Sequence, residues 1–312
     1  MYAKANSSVT KATFGPTESD QDPLILDPEI DQRKLELVYA QVADYMLQLS
    51  RLKFPSIGAI SKHLDKWAVT RRPMTYDMNK LMADTGFPVH MLPSRPFKSS
   101  SEYFRQRADE LWTHLCIQRN ICETKEDACQ KFAARRGLAE LIPKHCVDDG
   151  LSSRLFSDDW GPFNMLADPE TLQITAVLDF EFTNAMPTQY LYDVPSWLLL
   201  ASPHCWLERD DKASFEKLFI PQMELFIRAV ERAEATTSPL DKYESSVRLS
   251  SRMRESWRSG RFWFNYAMRT SIDADVVYWK ALDDGKEMEQ FAEAKIEQFD
   301  AYLEEGENDP RL

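Results

Sequence analysis

The stretch Leu155-Phe156-Ser157-Asp158-Asp159-Trp160-Gly161-Pro162-Phe163-Asn164-Met165-Leu166-Ala167-Asp168 is followed by the run Ile174-Thr175-Ala176-Val177-Leu178-Asp179-Phe180-Glu181-Phe182. It sets an acid at Asp159, an amide five residues on at Asn164 and a second acid fifteen beyond that at Asp179. Asn164 to Asp168, the turn Asp168-Pro169-Glu170-Thr171 and Gln173 to Phe180 read as strand, tight turn and strand. Continuous apolarity in Ala176, Val177 and Leu178 predicts a buried second strand that fixes Asp179 rigidly at its end. A loop delivering one acid, and a hairpin delivering an amide and another acid, bring three oxygen-bearing side chains to one end of a small sheet. Phosphoryl transfer uses such a set, with one carboxylate for the acceptor's proton and an amide oxygen plus a carboxylate for Mg²⁺. Two protein ligands suffice, because Mg²⁺ keeps waters and takes phosphate oxygens. Taken singly, the same residues also read as a solvated loop and a structural turn. A metal hydrolase using the same carboxylates is a third reading, although no additional ligand cluster accompanies them.

Working outward, the chain is mainly helical on both sides. Asp27-Pro28 predicts an N-cap with proline in the first turn, and Leu35, Val38, Val42, Met46 and Leu49 continue a helix to about Lys53. Pro55, Gly58, Pro73, Gly86, Pro88, Pro93 and Pro96 predict a loop-rich stretch with a short helix from Met78 to Asp84. Helices follow over 99–119, opened by a capping-box-like Ser99-Ser100-Ser101-Glu102, and over 125–142. Beyond the hairpin, helices are expected over 191–200, 213–234, 245–268 and 273–304, with a surface loop at Thr236-Thr237-Ser238-Pro239. Residues 1–26 are polar and turn-rich and read as an arm or connector, and 306–312 as a polar tail.

The 312 residues carry 50 acids against 38 bases, a formal charge of −12, which repels a phosphate backbone and makes nucleic acid an unsuitable partner. No apolar run approaches the roughly 18–20 residues of a spanning helix, and residues 1–25 lack the apolar core of a secretory signal. The expectation is a cytoplasmic protein without membrane contact. Cys116, Cys122, Cys129, Cys146 and Cys205 form no Cys-x-x-Cys, which suggests reduced, mostly structural thiols. The first three, with His114, fit no zinc spacing.

The central stretch resembles the catalytic and metal-binding segments of the aminoglycoside phosphotransferase-like family, whose fold is that of the eukaryotic protein kinases, and especially its large fungal branch. Phe156 to Asn164 stands where relatives carry Asp followed five residues later by Asn, and Val177-Leu178-Asp179-Phe180-Glu181 where they carry an apolar pair, Asp, an aromatic and Glu. Leu47 to Gly58, Gln118-Arg119-Asn120, Leu191 to Leu200 and Ser259 to Asn265 are similar to that branch too, so the resemblance spans about Asp27 to Leu282. It implies a mostly α (α+β) protein over 27–305: a kinase-like large lobe whose small β-hairpin carries the metal-binding residues, with a C-terminal helical subdomain. It implies Asp159 as catalytic base, Asn164 and Asp179 as Mg²⁺ ligands, and Asp193 as an acid bracing the catalytic loop. From the residues alone, Asp193 reads equally as a helix N-cap or a surface acid. Many relatives have His two residues before the base, where this chain has Ser157.

By the same resemblance the cofactors are ATP and Mg²⁺ and the partner is a small-molecule acceptor with a hydroxyl. A small lobe with a glycine-rich loop and a strand lysine is also implied. Residues 1–26 hold one glycine, Gly15, and two lysines, Lys4 and Lys11, in no strand-like context, so that lobe is expected to be missing. The alternative to an enzyme is then an inactive, pseudokinase-like binding protein. The cluster Trp257, Phe262, Trp263, Phe264, Tyr266 and Trp279 reads first as core, since Met253, Trp257, Phe264 and Met268 can share one helical face. The resemblance places this region beside the acceptor, which makes Trp263 and Asn265 acceptor-side candidates.

Overall fold

The computed structural model describes residues 25–63, 65–147, 153–236, 247–282 and 295–303. Most of the expected N-terminal arm, the expected surface loop at Thr237-Ser238-Pro239 and the expected tail over 306–312 lie outside the described residues. In chain order, α1 (Gln32–Ser50), β1 (Lys53–Phe54), β2 (Ala59–His63), β3 (Lys66–Arg71), α2 (Tyr76–Thr85), α3 (Ser100–Ile117) and α4 (Lys125–His145) come first. They are followed by β4 (Ser153–Ser157), β5 (Met165–Ala167), β6 (Ile174–Val177), β7 (Thr183–Pro187), α5 (Pro203–Arg209), α6 (Lys212–Thr236), α7 (Leu249–Arg258), α8 (Arg261–Ala267) and α9 (Ala274–Val277). The protein is thus mostly α-helical with small antiparallel sheets, the class the sequence predicts. It divides into two compact units, one within 1–54 and 153–262, the other within 55–152 and 263–312.

In the first unit α1 buries Leu35, Tyr39, Val42, Ala43 and Met46, a stripe at helical spacing, and packs on α6. Tyr39 meets Phe226 of α6 edge to face, with centroids 5.4 Å apart. The helix begins one turn later than Asp27 suggests. Asp27 accepts from the Glu29 N–H in a tight turn of its own, and Asp31 is the N-cap, accepting from Arg33 N–H at 2.9 Å. Strands β1, β4 and β7 form an antiparallel sheet with β4 in the middle, its register running from Ser153↔Pro187 to Ser157↔Thr183. Strands β5 and β6 form the expected hairpin, with Met165 opposite Val177.

Three expectations for this unit need correction. Strand β6 is not buried throughout: Ile174 is buried, Ala176 and Val177 are half-buried, and Thr175 and, just past the strand, Leu178 are exposed, because a two-stranded sheet has a face in water. Residues 191–200 are not a helix. A 3₁₀ turn over Thr188–Tyr192 gives way to bends, since Pro195 disfavours the helical conformation for Val194 before it. The single helix expected over 245–268 is two, α7 and α8, parted at Gly260, which holds the left-handed φ of 73°. Its first residues, 245 and 246, lie outside the described residues.

The second unit contains the hairpin β2–β3, where the sequence suggested only loop. Here α2, α3 and α4 start on Thr75, Ser99 and Thr124, each side chain accepting the N–H three residues on. Glu102 reaches back to the Lys98 N–H at 2.8 Å, completing the cap of α3. Helices α3 and α4 pack together, and Gly137 on α4 lies where any Cβ would run into the Tyr278 hydroxyl at 2.2 Å and its ring carbons at 2.4 and 2.5 Å. Of the helix expected over 273–304, α9, a π turn over Tyr278–Leu282 and a helix over 295–303 are described. Phe262, Trp263, Phe264 and Tyr266 are core as expected, while Trp257 and Trp279 are half-buried, and the break at Gly260 keeps the stripe from lying on one helical face. Phe219 stacks on Trp257 in the first unit, and Phe264 stacks on His145 in the second.

Candidate functional site

Strand β4 is paired with β1 at its start, through Ser153 and Arg154, and with β7 along its whole length, so the loop that leaves it at Ser157 springs from the middle strand of the sheet. Asp159 lies exposed on that loop. The next turn is held by Trp197, whose Nε1 donates to the Trp160 carbonyl at 2.8 Å. Gly161 lets the chain lie against the same indole, for a Cβ there would sit 3.3 Å from Trp197 Cδ1. A 3₁₀ turn over Pro162–Asn164 then delivers Asn164 to the start of β5.

The Asn164 Nδ2 donates to the Asp159 carbonyl at 2.8 Å and to Asp159 Oδ2 at 3.0 Å. Both partners are acceptors, so the nitrogen must face them. Oδ1 is then the end of the amide that can be offered to a cation. The strand pairing continues one step past β5, with the Leu178 N–H donating to the Asn164 carbonyl at 2.8 Å, so Asp179 follows the residue opposite Asn164. In a regular strand Asp179 would point to the face opposite that of Leu178 and Asn164. It does not continue the strand: its φ of 63° is left-handed, a conformation that Asp tolerates better than most residues yet one that still costs about 1–2 kcal/mol. Such strain is characteristic of residues whose orientation matters. The Thr183 N–H to Phe180 carbonyl bond, at 3.0 Å, closes the turn that follows.

The far end of the hairpin is anchored as well. Asp168 Oδ1 accepts from the Glu170 and Thr171 N–H groups and from the Thr171 hydroxyl, and these bonds hold its carboxyl below the usual range. Gln41, on α1, clamps the turn with both ends of its amide: Nε2 donates to the Leu172 carbonyl at 3.0 Å, and Oε1 accepts from the Ile174 N–H at 2.8 Å. The sequence does not assign Gln41 or Trp197 these roles, since each acts on main-chain groups far away in the chain. Gln41→Ala removes the Ile174 partner. Its amide should then exchange with solvent roughly tenfold faster, as loss of a bond of about 1.4 kcal/mol requires, and unchanged protection by hydrogen-exchange NMR would refute the clamp.

The structure therefore bonds Asp159 to Asn164 directly and sets Asp179 one residue beyond Leu178, the strand partner of Asn164. Ser157 ends β4, paired with Thr183. Asp193 is neither a helix N-cap nor a surface acid: it is 4% exposed and accepts a hydrogen bond from the Ser256 hydroxyl of α7. Trp263 and Asn265 are 2% and 0% exposed and belong to the core of the second unit. Of the interleaved arginines, Arg254 pairs with Glu224 and Glu231, while Arg252 lies over the Tyr192 ring. All five cysteines are free thiols. Among the described residues no three His, Cys, Asp or Glu side chains gather around a metal position. The donors at hand are the Asp159 and Asp179 carboxylates and the Asn164 amide oxygen, which suit a hard cation that keeps water and ligand oxygens. Around them Phe163, Leu166, Leu178 and Phe180 are exposed. No helix among the described residues is long and apolar enough to cross a membrane. No family model, curated protein or solved structure matches the chain.

Proposed function

We propose that the first unit carries the catalytic half of an ATP- and Mg²⁺-dependent phosphotransferase that acts on the hydroxyl of a small-molecule acceptor. The observation that carries this reading is the Asn164 amide, whose nitrogen is used on Asp159, so that its oxygen is the end left for a cation. One side chain so fixes the base and presents a cation ligand. Asp159, exposed and steadied by that bond, is placed to take the acceptor's proton. Asp179, held off the strand path by its left-handed backbone, supplies the second ligand. Mg²⁺, when bound, would neutralise phosphate charge. Trp197 and Gln41 keep the loop and the hairpin from drifting, and positioning of this kind accounts for much of the rate in phosphoryl transfer.

A second reading, a binding protein without turnover, draws support from the exposed apolar side chains Phe163, Leu166, Leu178 and Phe180 beside the acids, a surface suited to a partner. Thermal unfolding separates the two. With millimolar ATP and Mg²⁺ the melting temperature should rise, ATP with EDTA should leave it unchanged, and Asp179→Asn should abolish the rise. No metal-dependent rise in the wild-type chain would favour the binding reading.

A further inference from the structure

Ser157 and Thr183 face each other in register as the last pair of β4 and β7, at the point where the sheet opens into the loops bearing Asp159 and Asp179. Ser157 Oγ and Thr183 Oγ1 are both closed to solvent, and neither has a hydrogen-bond partner in the protein. Side chains directly opposite on an antiparallel pair share one face, with Cβ atoms about 4.5–5.5 Å apart. Two buried hydroxyls left unsatisfied each carry a desolvation cost, which native structures seldom tolerate. Two hydrogen bonds of about 2.8 Å meeting at one oxygen span roughly 4.5 Å, within the reach of two hydroxyls carried by directly opposed residues.

We propose that Ser157 and Thr183 hold one buried water between them, and that this water ties the strand entering the Asp159 loop to the strand leaving the Asp179 turn. A water in such a place needs two to four polar partners, and the hydroxyls supply two with both donor and acceptor capacity. Ser157 and Thr183 are then positioning residues, which set the angle at which Asp159 and Asp179 leave the sheet. The water itself follows from the two hydroxyls alone. Its consequence for the site rests on the phosphotransfer reading.

A double-mutant cycle in urea decides the first part, with Ser157→Ala, Thr183→Val and the pair made in the full chain. If a water bridges the hydroxyls, each single substitution strands the other hydroxyl and lowers the unfolding midpoint, while the double variant falls no further than the worse single. If no water is held, each substitution removes an unsatisfied group, both midpoints rise and the effects add; that result overturns the proposal. Mn²⁺ titration followed by electron paramagnetic resonance tests the positioning role. Ser157→Ala should weaken Mn²⁺ binding about tenfold or more, the range for groups that orient metal ligands, and Ser157→Thr, which keeps the hydroxyl, should restore it. Equal Mn²⁺ affinity in Ser157→Ala and wild type would refute that role. A wild-type chain that binds no Mn²⁺ counts against the phosphotransfer reading instead, and the urea cycle still decides the water.

Discussion

Asp159→Asn is expected to lower phosphoryl transfer by about 10²–10⁴-fold, the usual contribution of a positioned base, while leaving the fold and metal binding intact. Asparagine is the informative replacement because its amide oxygen still accepts from Asn164 Nδ2, so the loop keeps its shape and only the proton acceptor is lost. Asp159 is exposed, and stability should change by no more than about 0.5 kcal/mol. At Asp179 the same choice matters for a different reason. Its left-handed φ of 63° penalises alanine, whereas asparagine adopts that conformation readily. Asp179→Asn thus isolates the loss of a negative ligand from the loss of a backbone conformation. Turnover against a panel of alcohol acceptors would check both, and activity kept within a few-fold in either variant would remove that residue from the proposed chemistry.

Arg135→Met is expected to destabilise the second unit by about 3–5 kcal/mol, the cost of leaving a buried carboxylate without its partner. Arg135 is fully inside and engages Asp275 through two parallel bonds, Nε to Oδ1 at 3.0 Å and Nη2 to Oδ2 at 2.9 Å. It also donates to the Leu111 and Ser271 carbonyls, pinning α3 and the segment before α9 to α4. Its Nη1 lies 3.2 Å from His114 Nδ1. Burial first, and the Arg135 charge second, push His114 down to about 3, so the ring stays neutral and offers Nδ1 as an acceptor. A second buried arginine, Arg107, works in parallel, with Asp77, Glu110 and Ser271 around it. Burial is also the main reason that the Glu110 carboxyl is raised above its usual range, against the pull of Arg107. Pairing Arg135→Met with Asp275→Leu should cost less than Arg135→Met alone, because an apolar pair leaves no charge stranded. Urea unfolding of the three proteins checks this; a double variant at least as unstable as the single would contradict it.

The hairpin was legible because its signals are local. The turn residues Asp168 to Thr171 and the apolar run from Ile174 lie within a few residues of one another, and the turn forms through Asp168's own side chain. The helix starts at Ser99 and Thr124 are local too, each cap bonding three residues on. The sheet that supports the site was not legible. Its partners Lys53 and Arg154 are about a hundred residues apart, and β1 is two residues long, too short for any alternation to register. The hairpin β2–β3 was hidden by flanking prolines and glycines, although Ile60 opposite Val69 and Lys62 opposite Trp67 form ordinary cross-strand pairs. The site's residue types and spacing could be read in advance, whereas its supports could not. Gln41, Trp197 and Thr183 act through main-chain bonds or strand register, and although Trp197 lies in the Leu191–Leu200 segment, nothing in the sequence assigns any of the three its partner.

The central claim is that Asp159, Asn164 and Asp179 form one divalent-cation and proton-transfer site. Titrating Mn²⁺, which favours the same oxygen donors as Mg²⁺, into wild-type protein with ATP, and into Asn164→Ala and Asp179→Asn, tests it most directly. One saturable site, weakened about tenfold or more by either substitution and kept in Asp159→Asn, is the predicted result. Mn²⁺ binding that is absent from wild type, or equal in all four proteins, would contradict it.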